Sequence, residues 1–192
     1  MRWLSTNNAY SSSLLTTSGT NSAGTQSIFS TKYRKYSTWD DFAPQLRYAE
    51  VLLTLAEAEA RNAAGVSTRG VDLLNVVRNR SLANPATQAY TAGGFATKNA
   101  LIAAILLERR IEFLAEGRRW SDIHRNAVDP DFNVGGIPAK AVNGAAGLAI
   151  YNCGAGYTPG QAAIAYNDYR FIWPIPSTEV VQNPVIAQNP NY

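Results

Sequence analysis

The sequence of 192 residues has one cysteine, one histidine and one methionine, and only 16% of it is charged. Each scarcity excludes something. Cys153 has no second thiol to pair with, so no intrachain disulfide can form, and no neighbouring histidine gives it the spacing of a metal ligand. A small buried or half-buried residue is expected there. His124 stands two residues after Asp122, an arrangement that could belong to a nucleophilic triad. No Gly-x-Ser-x-Gly and no reactive cysteine accompany it, so a hydrogen-bonded or solvent-facing histidine is expected instead. No run of about 18 apolar residues occurs, and Met1–Ser5 lacks the apolar stretch of a signal peptide. As written, the chain reads as soluble and untargeted, a reading that need not extend to a longer parent. A formal charge of +3 without any basic run gives nucleic acid nothing to bind. Gly93-Gly94 and Gly135-Gly136 fit neither a P-loop nor a dinucleotide fingerprint and read as ordinary loop glycines.

What is present is an ordinary globular composition, 46% hydrophobic, and enough length for one sizeable core. Residues 1–31 are rich in Ser, Thr, Asn and Gly and are expected to be irregular: a loop, an edge, or a leader folding onto something else. Thr31–Tyr36 reads as extended, and Trp39–Pro44 as a turn. From Leu46 to Ala63, Ala49, Leu52, Leu53, Ala56, Ala60 and Ala63 follow helical spacing, with Gly65 placed for a left-handed cap. Ser67-Thr68 opens a second helix over 70–80, with Val71, Leu74 and Val77 inward. The connection is short enough to predict an antiparallel hairpin. Thr97 caps a third helix reaching Ala115, and Gly117 breaks it before a short turn over Trp120–Arg125. After Asp129-Pro130, glycine and proline punctuate small apolar pieces, predicting irregular structure with a short hairpin. The chain closes with an extended Arg170–Pro176, a short turn over 178–182, and a polar tail.

The densest stretch is Leu106–Arg125, where Glu108, Glu112 and Glu116 recur every fourth residue along one helical face. A catalytic reading would make them the carboxylates of a glycoside hydrolase or of a di-metal bundle site. The metal site needs Glu-x-x-His pairs, which are missing, and hydrolysis needs an open cleft, whereas Ile111, Phe113 and Leu114 are interleaved here. Structural ion pairing is therefore expected, in a network of Arg47, Glu108, Arg109, Glu112, Glu116, Arg118 and Arg119. Arg78 and Arg80 are further candidate partners. Truncating Glu112 should then cost several kcal/mol by stranding a buried cation. Trp120 and Trp173 are expected to plug the core.

Five pieces in this order carry a resemblance: Arg47–Leu53 with Ala56-Glu57-Ala58, Leu74–Arg80, Glu108–Glu112, Glu116–Ile123 and Trp173-Pro174-Ile175-Pro176. With the ending Asn183-Pro184 to Asn189-Pro190-Asn191-Tyr192, the sequence resembles the C-terminal part of the SusD/RagB family. Its members are glycan- and nutrient-binding lipoproteins of the Bacteroidetes outer membrane. The resemblance covers 32–192 and implies a mainly α fold of tetratricopeptide-like helical hairpins under an irregular, loop-rich C-terminal cover. In the family this is the last third of a longer chain bearing a lipoprotein signal, a lipidated cysteine and further helices. The present sequence is thus expected to be a truncated form or an unusually short reading frame. Asn191 replaces the family's usual glycine, and since Asn tolerates the left-handed conformation the same turn is expected.

The resemblance further implies a non-enzymatic, cofactor-free and metal-free role at the cell surface: capture of an oligosaccharide or other nutrient and delivery to a SusC-type TonB-dependent transporter. The alternative is an interaction scaffold that docks the transporter without binding glycan, and glycan cleavage stands third. Aromatic rings in loops stack on sugar faces while polar neighbours meet the hydroxyls. On that ground Trp39, Tyr90, Tyr151, Tyr157 and Tyr166 are the candidate ligand contacts, a partial site, since the family's site draws on residues outside this sequence.

Overall fold

The computed structural model describes residues 16–20, 26–30, 33, 38, 40–141 and 159–192. Helices dominate, as the hydrophobic periodicity requires: α1 (Tyr48–Asn62), α2 (Thr68–Arg78), α3 (Pro85–Gln88), α4 (Lys98–Glu112), α5 (Arg118–Arg125) and α6 (Ser177–Gln182). The chain divides into two units, residues 1–120 with 144–157, and residues 121–143 with 158–192.

In the first unit α1 buries Ala49, Leu53, Ala56 and Ala60, one residue per turn, against the inward stripes of α2 and α4. α2 contributes Val71, Leu74 and Val77, and α4 contributes Leu101, Ile102, Ile105 and Ile111. Small residues on α1 let the helices approach closely. Gly70 marks the tightest point, where an added Cβ would stand 3.3 Å from the Ala56 carbonyl oxygen. The opposite face of α1 carries exposed Tyr48, Val51, Leu55 and Ala58 and no charge. Helix starts follow the expected chemistry: Ser67 Oγ accepts from Gly70 N at 3.0 Å, and Thr97 Oγ1 from Ala100 N at 3.1 Å.

The end of α1 differs from expectation. Gly65 is not left-handed; the helix closes at Ala63, which is extended at φ −72° and ψ 148°. Its last carbonyls are satisfied by a side chain, because Lys98 Nζ donates to Arg61 O at 3.3 Å and Ala63 O at 3.1 Å. The left-handed turns fall after α4, at Ala115 (φ 62°) and Gly117 (φ 78°), so that helix stops three residues short of Ala115. In the stretch expected to be irregular, β1 (Thr16–Thr20) and β2 (Gln26–Ser30) pair antiparallel, Thr16 opposite Ser30.

The second unit is built on an interrupted antiparallel ribbon. β3 (Gly136–Ile137) pairs with β6 (Ile164–Ala165), and β4 (Lys140–Ala141) with β5 (Pro159–Gln161). Gly136 is no ordinary loop glycine: its φ is +126°, and a Cβ there would run into the carbonyl oxygen of Ile164. Ile123 and Phe171 form the apolar centre. The expected extended segment instead begins with a 3-10 turn, Tyr169–Phe171, opened by Asp168 Oδ1 accepting from Arg170 N at 2.9 Å. That turn sends Phe171 inward, 6% exposed, and leaves Trp173 69% exposed, so Trp173 does not seal the core. Trp120 of the first unit is 37% exposed and sits at the margin.

Candidate functional site

Two clusters of chemistry-bearing side chains stand out, one in each unit. In the first, α4 and the turn after it hold the repeated carboxylates against arginines. Arg47, just before α1, donates from Nη1 to Glu112 Oε1 at 2.6 Å and from Nη2 to the Glu112 carbonyl at 3.1 Å. The same guanidinium grips both oxygens of Glu116, Nε to Oε2 at 3.0 Å and Nη2 to Oε1 at 2.9 Å. Arg80 Nη2 reaches Glu112 Oε1 at 3.0 Å, and Arg78 Nη1 lies 3.6 Å from Glu108 Oε2 with both side chains buried. Arg118 pairs elsewhere, with Glu50 Oε2 at 3.1 Å, and also donates to the Gln45 carbonyl. Arg109 donates to Thr54 Oγ1 at 3.1 Å and packs over the Phe113 ring, which Arg47 also covers at 5.0 Å. The Arg47 pKa is raised: burial alone would lower it, but the hydrogen bonds and charges of Glu116 and Glu112 outweigh burial. Carboxylates so committed to guanidinium are poorly placed to shuttle protons. Their geometry joins the segment before α1 to the end of α4.

Tyr90, a candidate ligand contact, lies in the same unit. Its backbone is bracketed by Asn75, whose Nδ2 donates to Tyr90 O at 2.7 Å and whose Oδ1 accepts from Tyr90 N at 3.0 Å. The ring meets Arg78 at 4.3 Å and Phe95 at 5.1 Å, so its faces are engaged within the unit. Trp39, Tyr151 and Tyr157 lie outside the described residues.

In the second unit the tail 188–192 is clipped onto 172–175 by side chains that bond main chain. Gln188 donates to Ile175 O at 2.8 Å and accepts from Ile175 N at 2.9 Å. Asn189 Nδ2 donates to Trp173 O at 2.8 Å, and Tyr192 Oη to Ile172 O at 2.8 Å. Asn191 takes φ 72° to make the last turn, as expected of it. This clip presents Trp173, Tyr169 and Tyr192 to solvent, the two tyrosines edge-to-face at 5.1 Å. Beside them Asp168 holds Arg170 in a two-pronged pair at 2.9 and 2.7 Å. Hydrogen bonds and charge from Arg170 lower the Asp168 carboxyl to about 2, and Asp168 raises the pKa of Arg170. Tyr166, the remaining candidate contact, is exposed, with its N–H bonded to Gly135 O at 3.2 Å. His124 is hydrogen-bonded, its Nε2 2.9 Å from Phe171 O and its ring stacked on Phe171 at 4.1 Å. Sequence reading missed Tyr169 and Tyr192 as exposed rings; the local density of Tyr169-Arg170-Phe171-Ile172-Trp173 was the available signal. Among the described residues no group of three His, Cys, Asp or Glu is placed to hold a metal ion, and no helix is long and apolar enough to cross a membrane.

In chain order these parts are an arginine before α1, carboxylates on α4 and the turn after it, and Trp-Pro-Ile-Pro clipped by an Asn-Pro tail. The sequence model of the SusD family matches residues 6–192. The chain belongs to the SusD family. A SusD-like protein of Formosa agariphila is 30% identical over 151 residues, which are 76% of this chain and 24% of that protein. The SusD chain thus spans about a quarter of the length of the curated relative it matches. SusD proteins are a family of outer-membrane surface lipoproteins. The pieces that carry the resemblance in the sequence are mostly scaffold in the fold: Arg47 with Glu112 and Glu116 in one unit, and the Trp173–Tyr192 clip in the other.

Proposed function

We propose that the chain serves, without catalysis, in capturing an oligosaccharide or other nutrient at the cell surface and passing it to a SusC-type TonB-dependent transporter. Family membership over 6–192 is the observation that carries this reading. Two features of the chain agree with it. Aromatic rings stand exposed beside polar side chains in the second unit, and the repeated carboxylates are occupied by arginines. Binding of this kind needs no cofactor. Trp39, Tyr90, Tyr151, Tyr157 and Tyr166 remain the proposed contacts, with Tyr166 the one exposed among the described residues.

A scaffold role, docking the transporter without glycan, has its own support in the uncharged outward face of α1 at Tyr48, Val51 and Leu55. Calorimetry against a polysaccharide panel separates the two readings. Saturable binding weakened by Trp39→Ala or Tyr157→Ala supports capture. Silence toward every glycan, with the transporter still retained in pull-down, supports the scaffold.

A further inference from the structure

We propose that Tyr169, Trp173 and Tyr192 on the C-terminal clip form a stacking subsite for an uncharged glycan, with the Asp168–Arg170 pair as its hydroxyl partner. The proposal rests on the capture reading and adds to it a place and a ligand class.

Three observations carry it. The first is exposure: Trp173 is 69% open to solvent, Tyr192 46% and Tyr169 45%, the Tyr169 ring keeping that exposure with Arg170 at 5.9 Å and the Tyr192 ring at 5.1 Å. The second is rigidity. Tyr192 is fixed by its hydroxyl on Ile172 O and by the left-handed turn at Asn191, and the Trp173 main chain is fixed by Asn189. The Tyr192 ring, held this way, loses little freedom when a ligand arrives, and the C–H faces of pyranose rings are apolar surfaces that aromatic planes cover well.

The third observation is charge. Arg170 gives Nε and Nη2 to the two oxygens of Asp168, so the cation is neutralised in place while other N–H groups of its fork can still donate to neutral hydroxyls. Elsewhere in the unit, Asp122, Asp129, Asp131 and Glu179 outnumber Arg125 and Lys140. A uronate or sulfate ester would find the local Arg170 charge already matched by Asp168, whereas a neutral sugar needs no unmatched cation.

The experiment is affinity electrophoresis of the full 192-residue chain in gels containing laminarin, xyloglucan or xylan as neutral probes and polygalacturonate as the anionic one. At least one neutral glycan is expected to retard the chain, unchanged by added salt. Trp173→Ala and Tyr169→Ala should each weaken that binding roughly tenfold, and Trp173→Phe, which keeps a stacking face, should restore most of it. Thermal melts matching the parent show that these exposed-site variants are folded. Neutral-glycan binding untouched by both alanine variants overturns the subsite and leaves capture standing. Salt-sensitive binding to polygalacturonate alone overturns the ligand class. No retardation by any glycan, with Trp173→Ala abolishing a transporter pull-down, overturns subsite and capture together and makes the surface a protein contact.

Discussion

Glu116 is the residue on which the first unit's polar architecture turns. Its side chain is 2% exposed and both oxygens accept from Arg47, while Glu112 accepts from Arg47 and Arg80 together. Removing such a carboxylate leaves a guanidinium held over Phe113 without the counter-charge that binds it two-pronged. Because Glu112 still holds Arg47 and part of that side chain is in water, the expected loss for Glu116→Ala is about 2 kcal/mol, below the full penalty of a stranded buried charge. The exposed Arg69–Glu59 pair is the control: Arg69→Ala should change stability by less than about 0.5 kcal/mol. Urea denaturation measures both, and equal effects would contradict the distinction. Asp168 gives a second test at this scale. Its folded pKa is depressed to about 2 from 3.8, so its contribution to stability is present above the unfolded value and is lost as pH falls from 3.8 toward 2. Carboxyl titration followed by NMR should place the midpoint near 2, and Arg170→Ala should return it toward 3.8; an unmoved midpoint would detach Arg170 from the shift.

At the level of elements, the helices were the legible part. The alternating four- and three-residue spacing of Ala49, Leu53, Ala56 and Ala60 and the hydroxyl caps at Ser67 and Thr97 are local signals that helix physics converts directly into structure. Where a terminus depends on a distant side chain, the local signal fails. Lys98 capping the end of α1 makes a left-handed Gly65 unnecessary, and nothing near Gly65 announces a lysine 33 residues downstream. Strands of two or three residues, such as β3 and β4, are equally invisible, because alternation cannot be read from so short a run. Gly136 shows the same limit, since its role is set by the approach of Ile164 rather than by its neighbours in sequence. Gly136→Ala should therefore break the β3–β6 pairing and lower stability by about 2 kcal/mol or more, with both strain and collision contributing. Hydrogen exchange at the amides of 137 and 164–166 measures it, and protection equal to the parent's would show that the strand absorbs the methyl.

For the molecule as a whole, the order of motifs proved more telling than any single one. Arg47, the α4 carboxylates and the Trp173 clip are separated by long stretches of chain, and their sequence order brought the family into view, while their contacts show what each piece does in the fold. The ligand surface was less legible. Exposure decides whether a ring is plug or platform, and exposure is settled by tertiary turns such as Tyr169–Phe171, which placed Phe171 inside and Trp173 outside. Tyr90 went the other way, its ring covered by Arg78 and Phe95. The central claim, capture of glycan without chemistry, is tested most directly by titrating the chain calorimetrically with the polysaccharide panel while assaying the same mixtures for new reducing ends. Saturable heat with at least one glycan and no reducing-end release are expected. Release of reducing ends, or no saturable binding to any member, would contradict it.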